Sequence, residues 1–193
     1  RIQLVSPPEQ YFLMEAGDRY NMGLLYLAGE VNNTIRHEAL ISDLNHEDYN
    51  LFKHKINWFK PDFIGVTTIT PYFNWWSNFA NHLKHNYPNI KLIAGGPHAT
   101  VKPLETLKHF DYVFTGEAEK SLVDFLDGKT EDNIVQGKTT NLDDLAYPDY
   151  QQLNMNDYGI NQEGHRTATI LSSRSCSQNC FFCTKNILGK RQR

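Results

Sequence analysis

Several features that would assign a protein to a common functional class are missing from this sequence of 193 residues. The formal net charge is only −3 and no long run of Lys and Arg occurs, so nucleic-acid binding has no electrostatic support. No apolar stretch approaches the roughly 20 residues of a membrane-spanning helix, so we expect no membrane span. Neither G-x-x-x-x-G-K-S/T nor G-x-G-x-x-G occurs, which argues against an ordinary nucleotide-binding sheet.

Cysteine is scarce and confined to one place. All three cysteines, Cys176, Cys180 and Cys183, fall within a stretch of eight residues. An odd number of closely spaced thiols does not suit a disulfide framework, and metal binding in a reducing compartment is the better interpretation. We therefore expect a cytoplasmic protein.

Short apolar runs alternate with longer amphipathic stretches through the first 126 residues. This alternation, repeated five times, predicts a parallel α/β sheet with helices on both faces. Right-handed crossovers then give a doubly wound fold, and for five strands we expect the flavodoxin-like order 2-1-3-4-5. The predicted strands cover residues 2–6, 38–45, 62–70, 89–96 and 111–117.

The composition changes after this region and indicates three segments. Residues 1–127 form the predicted five-stranded domain. Residues 128–165 are polar and rich in Asn, Asp and Gly, which predicts a linker with room for one short hairpin. Residues 166–174 alternate into a new predicted strand, and residues 166–193 are interpreted as the beginning of a second domain. We expect the sequence to be a portion of a longer protein.

The carboxyl ends of the predicted strands are the places to look for a ligand site. One strand end offers hydroxyl groups, and the next lacks side-chain bulk, so that a large flat ligand can approach its backbone. A simple turn at the two glycines and a helix-start role for the histidine are the alternatives. The candidates are Thr67, Thr68 and Thr70 after the third strand, and Gly95, Gly96, Pro97 and His98 after the fourth.

The cysteine spacing is C-x3-C-x2-C, which brings three thiolates to one side of a compact loop. Thiolates are soft ligands that suit iron–sulfur clusters or zinc. A [4Fe–4S] cluster normally uses four cysteines, so three leave one iron open, as a metal centre for chemistry requires. A zinc site with His165 or an intermolecular fourth donor is the alternative, although zinc loops more often use C-x2-C pairs.

The loop resembles the signature of the radical S-adenosylmethionine superfamily. It shares the cysteine spacing, it follows a predicted strand, and Phe182 stands directly before the last cysteine, where the family places a ring near the adenine. The resemblance implies a [4Fe–4S] cluster on Cys176, Cys180 and Cys183, with S-adenosylmethionine on the open iron and release of a 5′-deoxyadenosyl radical. It also implies an external electron donor of the flavodoxin or ferredoxin type and a small-molecule substrate that the sequence does not define.

The upstream sequence resembles the cobalamin-binding domain and linker that precede the barrel in B12-dependent radical enzymes. The stretches VSPP, GVTTITP, LIAGGPHAT, DYVFTGEAEKSL and LDDLAYPDY carry this resemblance, in the order of the family. It implies that the strand ends at Thr67–Thr70 and Gly95–Gly96 hold cobalamin, with the nucleotide tail beside the sheet.

One motif departs from that pattern. Many cobalamin domains carry D-x-H-x-x-G, whose histidine ligates cobalt, but here Asp43 is followed by Asn45 and Asp48 at the His and Gly positions. His46 comes one place late, so ligation of cobalt by a protein histidine is not supported. A polar loop with acidic residues near a helix N-terminus is the simpler interpretation.

The hypothesis is therefore the N-terminal portion of a B12-binding radical S-adenosylmethionine enzyme, with methyl transfer to an unactivated carbon as the reaction. One alternative is a related radical enzyme for rearrangement, cyclisation or methylthiolation, with a vestigial B12 domain. The other is a non-catalytic cobalamin- or metal-binding module. Because a full barrel needs well over a hundred further residues, we expect this chain alone to be inactive.

Overall fold

The computed structural model describes residues 1–8, 20–158, 169–178 and 180–183. Six strands of this part of the chain form one sheet, in the order β2-β1-β3-β4-β5-β6. All neighbouring strands are parallel, which confirms the flavodoxin-like doubly wound fold and the predicted order. The strands are β1 (Ile2–Ser6), β2 (Ala39–Asp43), β3 (Phe63–Thr67), β4 (Lys91–Gly95), β5 (Tyr112–Thr115) and β6 (Ile134–Gln136).

The sixth strand corrects the prediction of a five-stranded sheet. β6 lies inside the segment 128–165 that we predicted to be a linker, and it pairs with β5 where a hairpin was expected. The Gly137 N–H extends this pairing by donating to the Thr115 carbonyl at 2.6 Å. The strand has three residues, of which only Val135 is buried, so it leaves no periodic apolar pattern in the sequence.

Helices cover both faces of the sheet because successive strand residues point to opposite sides. In β1, Leu4 packs in the cluster that contains residues of α1 and α6, whereas Val5 packs in the cluster of α2 and α3. No helix among the described residues is both long and apolar enough to cross a membrane. The helices are α1 (Met22–Asn32), α2 (Tyr49–Phe59), α3 (Phe73–Asn86), α4 (Pro97–Val101), α5 (Pro103–Thr106) and α6 (Glu119–Leu126).

Side chains form hydrogen bonds with the backbone groups on the outer edge of β2, which is the strand at one end of the sheet. Asn32 accepts from the Ala39 N–H at 2.7 Å and donates to its carbonyl at 3.2 Å. Gln152 accepts from the Ile41 N–H at 3.3 Å, and Lys55 donates to the Ile41 carbonyl at 3.0 Å. These bonds occupy backbone groups that an exposed edge strand would otherwise offer to another chain.

Much of the predicted linker is docked on the domain. Residues 145–158, which we call the linker strap, cross α1 and run toward β2. The Asp149 N–H donates to the Leu25 carbonyl at 3.0 Å. The strap passes so close to Gly29 that a Cβ there would lie 2.1 Å from the Tyr147 carbonyl oxygen. The sheet and this strap together therefore extend well beyond the boundary expected at residue 127.

A strand was predicted at residues 166–174, but the residues of this range that the structure describes do not form one. Residues 169–174 are not in a strand, and residues 166–168 lie outside the described residues. A strand requires a neighbour for its backbone groups. No strand of the described chain pairs with residues 169–174.

We expect Gly29→Ala to lower the free energy of unfolding by about 1–3 kcal/mol, because the new methyl group must push the linker strap off α1. Urea unfolding followed by circular dichroism measures the change. Gly23→Ala in the same helix is the matched control, since its Cβ would meet only the Asn21 side-chain oxygen, at 3.3 Å. Equal effects of the two substitutions would contradict the docked strap.

Candidate functional site

A cavity of about 460 Å³ lies between the sheet and helices α1 and α6. Its interior is lined by apolar side chains and one glycine, and this volume falls in the usual range for small-molecule sites. The lining residues of the interior are Ile2, Leu4, Leu24, Leu27, Gly65, Ile93, Phe114 and Leu122.

Gly65, in the middle of β3, keeps space open on this face. A Cβ at this position would lie 3.0 Å from Cδ2 of Leu4 and 3.3 Å from Cδ1 of Ile2. A larger side chain would therefore extend among the groups that line the cavity. A glycine inside an apolar strand indicates close approach of another group, but Gly65 was not among the predicted site residues.

The mouth of the cavity lies at the carboxyl edge of the sheet, where the sequence analysis expected a ligand. Thr67, Gly95 and Gly96, three of the predicted site residues, line it. Gly116 and residues 117–119 of the β5–α6 connection complete that side. The structure thus brings the ends of β3, β4 and β5 to one opening.

The two predicted glycines have different roles. Gly96 has φ +94°, and a Cβ there would lie 2.8 Å from both the Thr67 hydroxyl oxygen and the Thr68 carbonyl oxygen. The close approach of β3 therefore requires this glycine, whether or not a ligand is present. Gly95 is different, because the nearest atoms to its Cβ position belong to Phe114 at 3.9 Å. Its backbone borders open space.

Thr68 holds the ends of β3 and β4 together. Its buried hydroxyl donates to the Gly95 carbonyl at 2.8 Å and accepts from the Ala99 N–H at 3.2 Å. Its carbonyl accepts from the His98 N–H at 3.0 Å. The hydroxyl that we predicted to face a ligand is therefore engaged inside the protein.

His98 is also buried, and its ring stacks on Phe73 with 3.9 Å between centroids. Its Nδ1 lies 3.1 Å from the Thr70 hydroxyl, and its Nε2 has no hydrogen-bond partner among the described residues. Burial away from water lowers the pKa of His98; the charge of Glu105 raises it by a smaller amount, and that of Lys102 lowers it further. Thr70 and Pro97, both exposed, do not line the cavity.

The polar loop after β2 is occupied by the end of the linker strap. The Tyr158 hydroxyl donates to the buried Asp43 carboxylate at 2.7 Å, and the His46 ring packs edge-on against Tyr158 at 4.5 Å. Burial, followed by the bond to Asp43, raises the pKa of Tyr158. The position that carries a cobalt-ligating motif in other domains thus serves here to anchor the strap.

The three cysteines are exposed and are not joined to one another in a disulfide. The Cys183 N–H donates to the Cys180 carbonyl at 3.1 Å, which closes a turn, and Phe182 is 77% exposed. No group of three or more His, Cys, Asp or Glu side chains in the described part of the chain is arranged to hold a metal. The assignment of the three cysteines as ligands of a cluster stays a prediction, based on the preference of such clusters for soft thiolate ligands. His165, the alternative zinc ligand, lies outside the described residues.

A doubly wound parallel sheet with an apolar cavity opening at its carboxyl edge is the architecture typical of α/β domains that bind small molecules. A match to a known family identifies which kind of α/β domain this is. The B12 binding domain family matches residues 15–126, which is more than half of the chain, and the chain therefore belongs to that family.

Curated relatives are longer than this chain. The uncharacterized methyltransferase PH0819 of Pyrococcus horikoshii is 29% identical over 100% of this chain and 47% of its own length. The anaerobic magnesium-protoporphyrin IX monomethyl ester cyclase of Rubrivivax gelatinosus is 24% identical over 82% of this chain and 32% of its own length. The chain thus spans less than half the length of either relative.

Two solved structures share the fold at low sequence identity. The cobalamin-dependent S-adenosylmethionine radical enzyme OxsB, with aqua-cobalamin bound, matches 94% of this chain and 28% of its own, at 15% identity and a TM-score of 0.69. The radical S-adenosylmethionine methyltransferase TsrM of Kitasatospora setae matches 99% of this chain and 42% of its own, at 14% identity and a TM-score of 0.62. These similarities support the fold.

The neighbouring threonines at the end of β3 should respond differently to loss of the hydroxyl. We expect Thr68→Val to lower the free energy of unfolding by about 1–3 kcal/mol, because two buried partners lose their hydrogen bond. Thr67→Val, at the cavity mouth, should change stability by less than about 0.5 kcal/mol. Denaturant titration of both variants tests the contrast, and a reversed order would show that Thr68 is not the structural residue.

The burial of His98 predicts a pH dependence of stability. Burial favours the neutral ring, so the pKa of His98 in the folded state lies below the value of about 6.5 expected in the unfolded chain. Between these two pKa values the unfolded chain binds a proton that the folded chain does not. Stability should therefore fall as the pH drops from 7 to 5, and His98→Gln should make that fall shallower. Urea midpoints measured across this range test it, with His85→Gln, an exposed histidine of α3, as control. An unchanged slope for His98→Gln would refute the assignment.

Proposed function

We propose that this domain binds cobalamin, and that the chain is the N-terminal portion of a B12-dependent radical S-adenosylmethionine enzyme that methylates an unactivated carbon. The observation that carries the proposal is the apolar cavity beside Gly65, which opens at the carboxyl edge of the sheet. Membership of the B12 binding domain family supports the choice of cofactor.

The cavity suits the nucleotide tail of cobalamin. Its interior offers hydrocarbon side chains from both the sheet and the helices, including Leu4, Leu24, Phe114 and Leu122, to a flat aromatic base. Polar groups are found at the mouth, where the Thr67 hydroxyl can serve the amide groups of the corrin periphery. Gly95 leaves room there for a broad, flat ring to approach the backbone.

The three cysteines are proposed to bind three irons of a [4Fe–4S] cluster and to leave the fourth for S-adenosylmethionine. Held by Cys176, Cys180 and Cys183, the cluster would supply one electron from an external donor for reductive cleavage of S-adenosylmethionine, and cobalamin would serve as the carrier of a methyl group. Phe182, whose exposed fraction is 77%, is proposed to cover the adenine.

The spatial relation of the two proposed sites supports this combination. Leu171, Ser173, Arg174 and Ser175 line the mouth of the cavity, and Cys176 follows directly. The first proposed cluster ligand is therefore joined to the edge at which the corrin is proposed to sit. The exposed thiols suit a reducing, cytoplasmic compartment, and a flavodoxin or ferredoxin is the proposed electron donor.

Cobalamin binding can be tested by titrating the chain with hydroxocobalamin and following the visible spectrum. We expect binding in the micromolar range, weakened about tenfold or more by Gly65→Val, because the added methyl groups overfill the cavity. Ile64→Val is the matched control, since this neighbour in β3 packs against the helices of the other face. It should bind as the unmodified chain does.

Two results would count against the cobalamin site. Absence of micromolar binding by the unmodified chain would identify a vestigial domain. Equal binding by the unmodified chain and a correctly folded Gly65→Val variant would place the cofactor somewhere other than the cavity. Far-ultraviolet circular dichroism and thermal unfolding establish whether each variant is folded.

The cluster can be tested by anaerobic reconstitution with iron and sulfide. We expect a brown protein with the iron–sulfur charge-transfer absorption, and loss of that absorption when Cys176, Cys180 and Cys183 are all changed to Ala. The same triple variant should keep its affinity for hydroxocobalamin. Stoichiometric uptake of zinc with no iron or sulfide would refute the radical chemistry and favour the zinc alternative.

A further inference from the structure

The residues directly before the cysteine loop form part of the cavity wall. Residues 169–175, which we call the mouth segment, are not in a helix or strand. Four of them, Leu171, Ser173, Arg174 and Ser175, line the cavity at its mouth. Any group that occupies the mouth must therefore contact the chain that leads into Cys176.

Two tyrosine hydroxyls hold the beginning of the mouth segment. The Thr169 N–H donates to the Tyr20 hydroxyl at 2.5 Å, and the Tyr150 hydroxyl donates to the Thr169 carbonyl at 2.9 Å. The two tyrosine rings pack edge-on, with 5.6 Å between centroids. Tyr150 belongs to the linker strap, so the docked linker helps to fix this end.

Arg174 holds the other end. One guanidinium nitrogen lies 2.7 Å from a Glu119 carboxylate oxygen, and another lies 3.7 Å from Glu117. The guanidinium carbon stands 5.0 Å from the centre of the Tyr26 ring, in α1. A single side chain thus joins the mouth segment to both the β5–α6 connection and the helix on the far side of the cavity.

This ion pair differs from an ordinary surface pair in its shielding. The Arg174 side chain is 16% exposed and that of Glu119 is 9% exposed. A shielded pair is screened less by water and salt than an exposed one, and loss of one partner leaves a buried charge unpaired. Glu119 also lies in the first turn of α6, where the helix dipole favours a negative charge, so it remains a fixed anchor.

We propose that Arg174 is a positioning residue that couples occupancy of the cavity to the position of the cysteine loop. The inference rests on the proposed function, since cobalamin is the ligand assigned to the cavity. A ligand in the mouth excludes water from the Arg174–Glu119 pair and so strengthens it. By thermodynamic reciprocity, the closed mouth segment then retains the ligand. The two proposed sites therefore support each other through one side chain.

Thermolysin cleavage measures how often the mouth segment opens in the 193-residue chain without ligand. This protease cuts before large apolar residues, and Ile170 and Leu171 are exposed at 79% and 45%. We expect Arg174→Gln and Glu119→Gln each to speed cleavage within residues 169–172 about tenfold, because each breaks the same shielded pair. The double variant should be no faster than either single variant. Mass spectrometry locates the cut.

Arg36→Gln is the matched control. Arg36 also pairs with a carboxylate, Asp127 at 3.0 Å, but its side chain is 67% exposed and does not line the cavity. Its cleavage rate should equal that of the unmodified chain. The cleavage rate of Arg174→Lys should lie between those of the unmodified chain and Arg174→Gln. Lysine keeps the charge but loses the planar guanidinium group that reaches both glutamates and lies over Tyr26.

Addition of hydroxocobalamin tests the coupling. Bound cofactor should slow cleavage of the unmodified chain about tenfold or more, and this protection should be mostly lost in Arg174→Gln. The same variant should release cobalamin about tenfold faster, followed in the visible spectrum after dilution.

The outcomes separate this inference from the proposed function. If the unliganded Arg174→Gln variant is cleaved at the rate of the unmodified chain, the Arg174–Glu119 pair does not hold the mouth segment and the inference is wrong. If this variant is cleaved faster but cobalamin still protects it as it protects the unmodified chain, the pair holds the mouth segment without coupling it to the ligand, and the inference is again wrong. If the unmodified chain binds no cobalamin, the proposed function is wrong, and so is the coupling. The cleavage rates without ligand still decide whether the Arg174–Glu119 pair holds the mouth segment.

Discussion

The contact between the end of β3 and the turn after β4 determines the shape of the carboxyl edge. The Thr68 N–H and hydroxyl both donate to the Gly95 carbonyl, at 2.7 Å and 2.8 Å. Gly96, at φ +94°, allows the two segments to approach at a distance that any side chain would prevent. The start of α4 at Pro97 follows from this contact, as do the positions of Thr67 and Gly95 at the cavity mouth. The proposed corrin site is therefore built on a rigid edge.

The two faces of the sheet are packed differently. On the face covered by α2 and α3, large side chains such as Phe52 and Trp76 are completely buried and leave a filled core. On the other face, Gly65 removes a side chain at the centre of the sheet, and a cavity remains beneath α1 and α6. A densely packed face supports the strands, while the open face leaves room for a ligand. The linker strap and the mouth segment then lie against the open face, so chain elements outside the sheet enclose the site.

The sequence was sufficient to predict the parallel sheet, its strand order and the meeting of several strand ends at one carboxyl edge, because these depend on local periodicity and on general topology. It was insufficient for β6, whose three residues in a polar stretch carry no periodic signal. It assigned Thr68 to a ligand because spacing alone does not reveal which of several adjacent hydroxyls points inward. The pairing of Arg174 with Glu119 depends on distant segments meeting in space, which no local pattern encodes. Gly65 was visible but was taken as an ordinary strand residue.

The cavity beside Gly65 is proposed to hold the nucleotide tail of cobalamin. Comparison of hydroxocobalamin with cobinamide, a corrinoid that lacks the nucleotide, tests it most directly, because the two ligands present the same corrin ring to the carboxyl edge. We expect the chain to bind hydroxocobalamin at least about tenfold more tightly than cobinamide, since burial of an aromatic base in an apolar cavity is worth more than about 1.4 kcal/mol. Equal dissociation constants for the two corrinoids would contradict it.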